Sequence, residues 1–357
     1  MEEGENKVKN VLMKYKNVGK TGLKVSTICL GTMTYGIQIG EAEAINLVKG
    51  AMDAGINFLD TAPVYSNTKS EEIVGKAIKG DRHSFVLATK AGPPSKYTPG
   101  VPPKPNETGL SRKCIMWQVE CSLKRLQTDY VDLYYVHEPD YNTPIEETLR
   151  ALDDLVHQGK TRYIGCSNFF AWQISKALGV SERYNLAQFD CVQPPYNLLT
   201  RDIETELLPF CASEGIGVSV YNPLAGEMLT GRHEFGKPPA EGRFTLPDLG
   251  PGYLQRYWSE TNFQAVDRFK KLARDHGVTL PQFALAWILN NPTITSVLSG
   301  VISLEQLKEN IVAIDIKLSP EELQACDDVW NTFRPPRVHY ARNPQDAARM
   351  AAMHQKK

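Results

Sequence analysis

The stretch Asn57-Phe-Leu-Asp-Thr-Ala-Pro-Val-Tyr65 decides the fold and contains the first two candidate functional residues. Its apolar start predicts a short strand that ends at an acid, Asp60. Pro63 then predicts a tight turn, which presents the phenol of Tyr65. An acid and a phenol are therefore expected together at the carboxyl end of one strand.

Two other apolar runs end in ionisable residues in the same way. Phe85-Val-Leu-Ala-Thr-Lys90 ends in a lysine, and Val131-Asp-Leu-Tyr-Tyr-Val-His137 ends in a histidine. Each of the four side chains also has an ordinary interpretation, as a turn cap, a loop aromatic, a surface lysine or a core histidine. Chance rarely puts four such residues at strand ends on one face, so we expect them to form a site at one end of a barrel.

Apolar runs alternate with amphipathic segments along the chain, which predicts eight strands that alternate with eight helices. The predicted strands are Thr27–Leu30, Asn57–Leu59, Phe85–Thr89, Val131–Val136, Arg162–Gly165, Gln188–Val192, Gly217–Tyr221 and Ser296–Leu298. The predicted helices are Glu41–Ala54, Ser70–Ile78, Arg112–Leu126, Pro144–His157, Ala171–Leu178, Asp202–Glu214, Thr261–His276 and Ser303–Ala313.

This alternation favours the α/β class and a (β/α)8 TIM barrel. The alternative is a doubly wound sheet, which usually has a G-x-G-x-x-G turn after its first strand. The segment Gly31-Thr-Met-Thr-Tyr-Gly36 does not match that turn.

Five segments lie outside the repeat. Tyr15–Val25 predicts a hairpin that plugs the closed end of the barrel, and Pro281–Leu289 and Ser319–Asn331 predict two added helices. Long loops, Ala91–Leu110 and Arg232–Trp258, follow the third and seventh strands on the face where loops often act as lids. The aromatic residues of the second loop are compatible with stacking on a sugar or on a polycyclic substrate.

The barrel domain is expected to span residues 13–333. Residues 1–12 are predicted to be a disordered extension, and residues 334–357 a tail with a helix-prone run that could cover the barrel or a neighbouring subunit. An oligomer is therefore possible.

Composition argues against several classes of partner. The 357 residues contain 40 basic and 41 acidic side chains, a net charge of -1, which gives no footprint for nucleic acid or membrane. No apolar run approaches the roughly 18–20 residues that span a bilayer. Seven cysteines without a C-x-x-C pair predict buried free thiols, no metal site and a cytoplasmic protein.

The four ionisable residues suit proton transfer to a carbonyl group. Tyrosine has a pKa near ~10, so an unassisted phenol is a poor acid at pH 7. An ammonium at Lys90 would lower that pKa, and Asp60 would keep the ammonium charged and fixed. His137 could orient a carbonyl oxygen, so the set would protonate a developing alkoxide while hydride arrives at carbon.

The chain resembles the aldo-keto reductases from about Tyr15 to about Asn331. The matching motifs are Leu30-Gly-Thr-Met-Thr-Tyr-Gly36, Phe58-Leu-Asp-Thr-Ala-Pro-Val-Tyr65, Ser70-Glu-Glu-Ile-Val-Gly75, Ala88-Thr-Lys90, Ser122-Leu-Lys-Arg-Leu126, Asp132-Leu-Tyr-Tyr-Val-His137, Gly165-Cys-Ser-Asn-Phe169, Gln193-Pro-Pro-Tyr-Asn-Leu198 and Tyr221-Asn-Pro-Leu-Ala-Gly226. The form Gly165–Phe169 and the aromatic loop resemble the Shaker-related branch, which includes reductases and potassium-channel β subunits.

The resemblance implies that NADPH or NADP binds at the strand carboxyl ends, with NADH possible. It implies that Tyr65 is the general acid, that Asp60 and Lys90 lower its pKa, and that His137 positions the carbonyl. The implied cofactor contacts are Gly31, Thr32, Met33 and Asp60, then Ser167, Asn168 and Gln193 at the carboxamide and Tyr221 at the nicotinamide ring, then Leu224, Gly226 and Arg232 at the pyrophosphate, and Ser299, Gly300, Gln306, Glu309 and Asn310 at the adenosine end.

One departure concerns the 2'-phosphate of NADPH. Related enzymes often have Ser, Lys or Arg at the positions of Ile302 and Ser303, and neither residue here is basic. Pairing with arginine gives much of the discrimination for a phosphate. We therefore expect NADPH, with a weakened preference over NADH.

The predicted function is an NAD(P)H-dependent oxidoreductase that reversibly reduces an aldehyde or ketone to an alcohol. An alternative is reduction of a ketosugar or a nucleotide-linked deoxysugar. An alternative of another class is a redox-sensing binding subunit like the channel β subunits, which tend to lack the histidine of the tetrad. His137 is present here and favours an enzyme with a small-molecule substrate.

Overall fold

A computed structural model of the chain describes residues 11–95 and 101–333. Two short antiparallel strands come first, and eight parallel strands then close into a barrel in chain order. The strands are β1 (Tyr15–Asn17), β2 (Lys24–Ser26), β3 (Ile28–Gly31), β4 (Phe58–Asp60), β5 (Val86–Ala91), β6 (Val131–Val136), β7 (Thr161–Ser167), β8 (Phe189–Gln193), β9 (Gly217–Val220) and β10 (Ser296–Ser299). The predicted barrel is confirmed, and the doubly wound alternative is wrong.

The barrel strands are apolar on both sides because one side faces the interior and the other faces the helices. Phe58, Leu133, Tyr135 and Cys191 belong to the cluster inside the barrel. Their neighbours along the strands pack outward against the surrounding helices. Alternation of side chains along each strand therefore separates an inner core, inside the barrel, from an outer core between the strands and the helices. The inner core ends at the level of the ionisable residues.

The hairpin β1–β2 closes the amino-terminal end of the barrel, as predicted. Val18 and Val25 are fully buried and join the interior cluster. The N–H of Lys20 donates to the carbonyl of Gly215 at 2.8 Å, just before β9 begins. A side chain at Gly19 would lie 2.3 Å from that carbonyl oxygen, so only glycine allows this approach.

The helices largely follow the predicted segments. They are α1 (Glu41–Asp53), α2 (Lys69–Ala77), α3 (Arg112–Leu126), α4 (Ile145–His157), α5 (Ala171–Tyr184), α6 (Leu207–Glu214), α7 (Gly250–Tyr257), α8 (Glu260–His276), α9 (Leu280–Leu289), α10 (Leu304–Ile311) and α11 (Pro320–Phe333). Ser303 caps α10, since its Oγ accepts from the N–H of Gln306 at 3.3 Å.

One predicted loop and one predicted helix need correction. The segment Arg232–Trp258 is not one loop, because it contains α7, which begins at a Gly-Pro-Gly sequence and buries Tyr253 and Tyr257. The predicted helix Asp202–Glu214 is divided into a 3-10 turn, Asp202–Glu204, and α6. Burial of tyrosines against the barrel outweighed the turn propensity of the glycines.

Some predictions fall outside the described residues or stay untested. The predicted extension lies outside them except for residues 11 and 12, and so does the tail 334–357.

No helix among residues 11–95 and 101–333 is long and apolar enough to cross a membrane. The same residues contain no group of His, Cys, Asp and Glu that could hold a metal ion. All seven cysteines are free thiols, and six of them are buried.

Candidate active site

The barrel register brings the candidate residues to one layer. Asp60 lies beside Ala88 across the β4–β5 pair, and Lys90 lies beside Tyr135 across the β5–β6 pair. Since successive side chains alternate, Lys90 points inward like Ala88 and His137 inward like Tyr135. A layer of ionisable side chains therefore lies directly above the apolar interior.

Lys90 is the centre of this layer. Its Nζ donates to Asp60 Oδ1 at 2.5 Å, to the carbonyl of Thr61 at 2.9 Å and to the hydroxyl oxygen of Tyr65 at 3.1 Å. An ammonium has three N–H donors, and all three are used. The Tyr65 oxygen accepts from Lys90, which leaves the hydrogen of its own O–H group for an acceptor in the adjoining cavity.

The environment keeps Lys90 charged. Burial by itself lowers the pKa of this ammonium, but the attraction of Asp60 and Tyr65 together outweighs burial, and the net pKa is raised. A buried ammonium with a bonded carboxylate is the arrangement that tolerates removal from water.

The pKa of Tyr65 differs from the sequence-based expectation. Burial raises the pKa of the phenol, and the Lys90 ammonium offsets only part of that effect. Asp60 raises the pKa rather than lowering it, because its negative charge disfavours a phenolate nearby. Lys90 thus acts on this pKa in the expected direction, whereas Asp60 does not, and the net pKa is raised rather than lowered, so the phenol keeps its proton at neutral pH.

His137 supplies a neutral donor beside the phenol. Its ring makes an edge contact with Tyr65, with 5.9 Å between the ring centroids. Burial and then the charge of Lys90 lower the pKa of His137 to about 3. Its Nδ1 is buried without a hydrogen-bond partner in the described structure. A bare lone pair costs less there than an unpaired N–H, so the hydrogen belongs on Nε2.

A cavity of about 800 Å³ opens above these residues at the carboxyl ends of the strands. Every residue predicted to contact the cofactor lines it, and Tyr65 and His137 line it too. Lys90 lies beneath the cavity and reaches it through Tyr65. The predicted contacts therefore lie at the ends of β3, β4, β7, β8 and β10 and in the segments that follow β3, β7, β9 and β10, and they line one cavity.

The polar groups of this cavity suit a nicotinamide dinucleotide. Gln193 Nε2 donates to Asp60 Oδ2 at 2.8 Å, so Gln193 Oε1 is the atom free to accept from a carboxamide. The hydroxyl of Tyr221 donates to Asn168 Oδ1 at 2.9 Å, which fixes the ring at the cavity wall. The guanidinium groups of Arg232 and Arg243 line the other end, where an anionic pyrophosphate or phosphate would lie.

Arg243 is a cavity residue that the sequence did not single out. A methyl group on Gly300 would lie 2.6 Å from its Nη2, so the arginine reaches from the segment after β9 to the segment after β10. No local motif predicts where a long loop crosses a barrel. Arg256 and Tyr253 also line the cavity and were missed for the same reason.

The aromatic residues of the segment after β9 form a core of their own. Phe244 and Trp258 pack edge to face with 4.9 Å between centroids, and His233 contacts both rings. Phe244 is 2% exposed. Of the aromatic residues that the structure describes in this segment, only Tyr253 lines the cavity. Phe244 and Trp258 thus pack on each other and not on the cavity, where Tyr253 is the ring that a sugar or a polycyclic substrate would meet.

Comparisons with known proteins agree with this geometry. The model of the Aldo/keto reductase family matches residues 27–331. A protein from Arabidopsis thaliana named probable voltage-gated potassium channel subunit beta is 41% identical over 324 residues, which cover 89% of this chain and 96% of that protein. A putative voltage-gated potassium channel subunit beta from Schizosaccharomyces pombe (strain 972 / ATCC 24843) is 40% identical and covers 94% of this chain and 97% of its own length.

Enzymes are also among the similar proteins. Versiconal hemiacetal acetate reductase from Aspergillus parasiticus is 34% identical over 342 residues, which cover 89% of this chain and 97% of that protein. The family match and this reductase support an oxidoreductase activity. With its closed barrel and its Asp60, Tyr65, Lys90 and His137 layer, the chain belongs to the aldo/keto reductase family.

Proposed function

We propose that the protein is an NAD(P)H-dependent oxidoreductase that reversibly reduces an aldehyde or ketone, with Tyr65 as general acid and base. The observation that carries the proposal is the bond from Lys90 Nζ to the Tyr65 hydroxyl oxygen at 3.1 Å. It leaves the phenolic hydrogen as the donor and puts a fixed positive charge where a phenolate would form.

The residues of the layer divide the work of proton transfer. When bound, the reduced nicotinamide supplies the hydride. A carbonyl oxygen in the cavity would accept from the Tyr65 hydroxyl and from Nε2–H of neutral His137. As negative charge develops on that oxygen, Tyr65 gives up its proton, and Lys90 stabilises the phenolate that remains. In the reverse direction the phenolate takes the proton of an alcohol.

Tyr65→Phe removes only the hydroxyl that transfers the proton. We expect carbonyl reduction to fall by several orders of magnitude, roughly 10²–10⁴-fold, as for loss of a general acid. The dissociation constant of NADPH, followed by protein fluorescence, should stay within about twofold, because the hydroxyl lies at the reacting end.

Tyr134→Phe is the matched control. Tyr134 is fully buried on β6, and its hydroxyl has no hydrogen-bond partner in the described structure. This variant should keep the turnover of the parent protein. Comparable turnover of the Tyr65→Phe variant would overturn the assignment of Tyr65.

We propose NADPH as the preferred cofactor, with Arg243 taking the place of the missing basic residue at Ile302 or Ser303. Arg243→Ala should weaken NADPH binding by about 10–100-fold, the loss expected for one charge-assisted contact, and change NADH binding by less than about twofold. Fluorescence titration of both cofactors measures this. Lys237→Ala is the control, since Lys237 is an exposed cation of the same segment that does not line the cavity. Equal losses for NADPH and NADH would contradict the role of Arg243.

The names of two similar proteins favour a second proposal, a redox-sensing binding subunit. The complete layer of Asp60, Tyr65, Lys90 and His137 supports turnover instead. A screen of aldehydes, ketones, sugars and secondary alcohols with both cofactors distinguishes the two. Micromolar binding of NADPH without turnover of any carbonyl would favour the binding subunit. Because Phe244 and Trp258 pack on each other and do not line the cavity, there is less support for a ketosugar or nucleotide-deoxysugar substrate.

A further inference from the structure

Three buried hydroxyl groups form a cluster directly behind the catalytic layer. Ser70 Oγ lies 2.8 Å from Thr32 Oγ1 and 2.8 Å from Thr61 Oγ1, and 2.9 Å from the carbonyl of Thr32. All three side chains are fully buried. The cluster joins the end of β3, the end of β4 and the start of α2.

The hydrogens of the cluster can be assigned by elimination. Thr32 Oγ1 donates to the carbonyl of Asp60 at 2.9 Å, so it only accepts from Ser70. Ser70 has one hydrogen, which it directs towards Thr32, and therefore Thr61 donates to Ser70. Each of the three hydroxyl groups therefore donates its hydrogen to an acceptor within this part of the structure. Ser70 is the member of the cluster that bonds to both of the others.

The cluster holds backbone that the catalytic residues use. Thr32 contacts the carbonyl of Asp60 through its hydroxyl and through its N–H at 3.0 Å. The carbonyl of Thr61 accepts from Lys90 Nζ at 2.9 Å. Ser70 is therefore linked to Lys90 through Thr61 and to Asp60 through Thr32. Ser70 itself does not line the cavity.

Ser70 also lies at the far end of an unfavourable turn. Tyr65 is followed by Ser66, Asn67 and Thr68, which have φ angles of 52°, 51° and 82°. Residues other than glycine rarely adopt this left-handed conformation, and a β-branched residue adopts it least readily. A turn of this kind persists only where contacts at its ends hold it. At that end, Thr68 Oγ1 donates to Glu72 at 3.0 Å, and the fully buried Ser70 follows two residues later in the first turn of α2.

We propose that Ser70 is a positioning residue, whose hydroxyl fixes the Lys90 ammonium against the Tyr65 phenol. The proposal rests on the proposed function of Tyr65 as the proton donor. Without the hydroxyl, Thr61 and the turn can shift, Lys90 moves away from Tyr65, and the phenolate loses part of its stabilisation. The predicted consequence is a higher pKa of Tyr65.

The test follows the ionisation of Tyr65 by NMR of tyrosine labelled with carbon-13 at Cζ. Loss of one peak in the Tyr65→Phe protein assigns the resonance. Ser70→Ala should move the titration midpoint upwards by about half a pH unit or more, as expected for a weakened ammonium contact. Thr61→Val, which removes the hydroxyl that donates to Ser70, should move it in the same direction, and Ser70→Thr should restore it.

Ser296→Ala controls for a purely structural effect. Ser296 is also fully buried in the barrel wall, and its Oγ donates to the carbonyl of Ser26 at 2.8 Å, at the closed end. This variant should lose stability as Ser70→Ala does and leave the Tyr65 midpoint unchanged. An unchanged midpoint in Ser70→Ala, or an equal shift in Ser296→Ala, would overturn the proposal.

Turnover gives a second readout that separates this inference from the proposed function. In alcohol oxidation, where the phenolate is the base, Ser70→Ala should shift the rising limb of kcat to higher pH. If the parent protein turns over no alcohol or carbonyl, the proposed function fails, and the NMR midpoint still decides whether Ser70 positions Lys90.

Discussion

Burial lowers the pKa of two neighbouring basic side chains of the site, but only one of them loses its charge. Lys90 and His137 both lie in the layer above the barrel interior, where loss of water disfavours a charge. Lys90 has the Asp60 carboxylate at 2.5 Å and keeps its proton, whereas His137 is buried and is repelled by Lys90. The site thus contains one fixed cation and one neutral donor, a division of roles that suits general acid catalysis.

The neutral state of His137 predicts a dependence of stability on pH. Its pKa is about 3 in the folded chain and about 6.5 when unfolded, so below pH 6.5 the unfolded chain binds a proton that the folded chain does not. Stability should therefore fall as the pH falls from 6.5. Between pH 6.5 and 5 the loss should be at most about 2 kcal/mol, because one pH unit corresponds to about 1.36 kcal/mol.

Urea unfolding of the parent protein and of His137→Gln at pH 5 and pH 7 measures this loss. The glutamine variant has no group that titrates there, so the difference in free energy of unfolding between the two proteins should shrink or reverse at pH 5. An unchanged difference at both pH values would mean that the folded and unfolded chains bind this proton equally, and that folding does not lower the pKa of His137.

At the scale of elements, sequence patterns found the strands better than the segments between them. All eight barrel strands overlap their predicted runs, with ends that differ by at most two residues, since burial on both sides requires apolar residues. The helix α7 was missed because Gly250, Pro251 and Gly252 signal a turn locally. Arg243 was missed because its role depends on where a long segment crosses the barrel. The rise in the pKa of Tyr65 was missed because it depends on the depth of burial, which no motif contains.

The contact between α2 and α3 gives a prediction at this scale. A methyl group on Gly75 would lie 2.7 Å from the carbonyl oxygens of Arg125 and Leu126, which are backbone atoms of α3 and its end. Gly75→Ala should therefore push the helices apart and lower the free energy of unfolding by about 1–3 kcal/mol, as overpacking does. Because α2 follows the turn that carries Tyr65, we also expect a lower kcat.

Gly179→Ala is the matched control for that substitution. Gly179 lies inside α5, and a methyl group there would meet no atom within 4 Å. Alanine should stabilise this helix by about 0.5–1 kcal/mol, the usual difference between the two residues. Thermal or urea unfolding of both variants measures the contrast, and similar effects of the two substitutions would argue against close packing of α2 on α3.

The whole molecule separates stability from chemistry along the barrel axis. The hairpin β1–β2 fills the closed end with Val18 and Val25, and the interior cluster continues upward to Tyr135 and Cys191. The ionisable layer and the cavity lie at the open end, on segments that follow the strands. In barrels of this kind, changes at the closed end mainly affect stability, and changes at the open end mainly affect activity.

This separation predicts opposite results for substitutions at the two ends. Val18→Ala removes two methyl groups from a fully buried position at the closed end, and should lower the free energy of unfolding by about 1–3 kcal/mol. Its kcat and its dissociation constant for NADPH should match those of the parent protein at a temperature where both are folded. Tyr65→Phe should show the reverse, with turnover lost and stability changed by less than about 1 kcal/mol. A decrease of kcat in Val18→Ala comparable to that in Tyr65→Phe would show that the interior packing transmits strain to the layer of Lys90, and that the two ends are coupled.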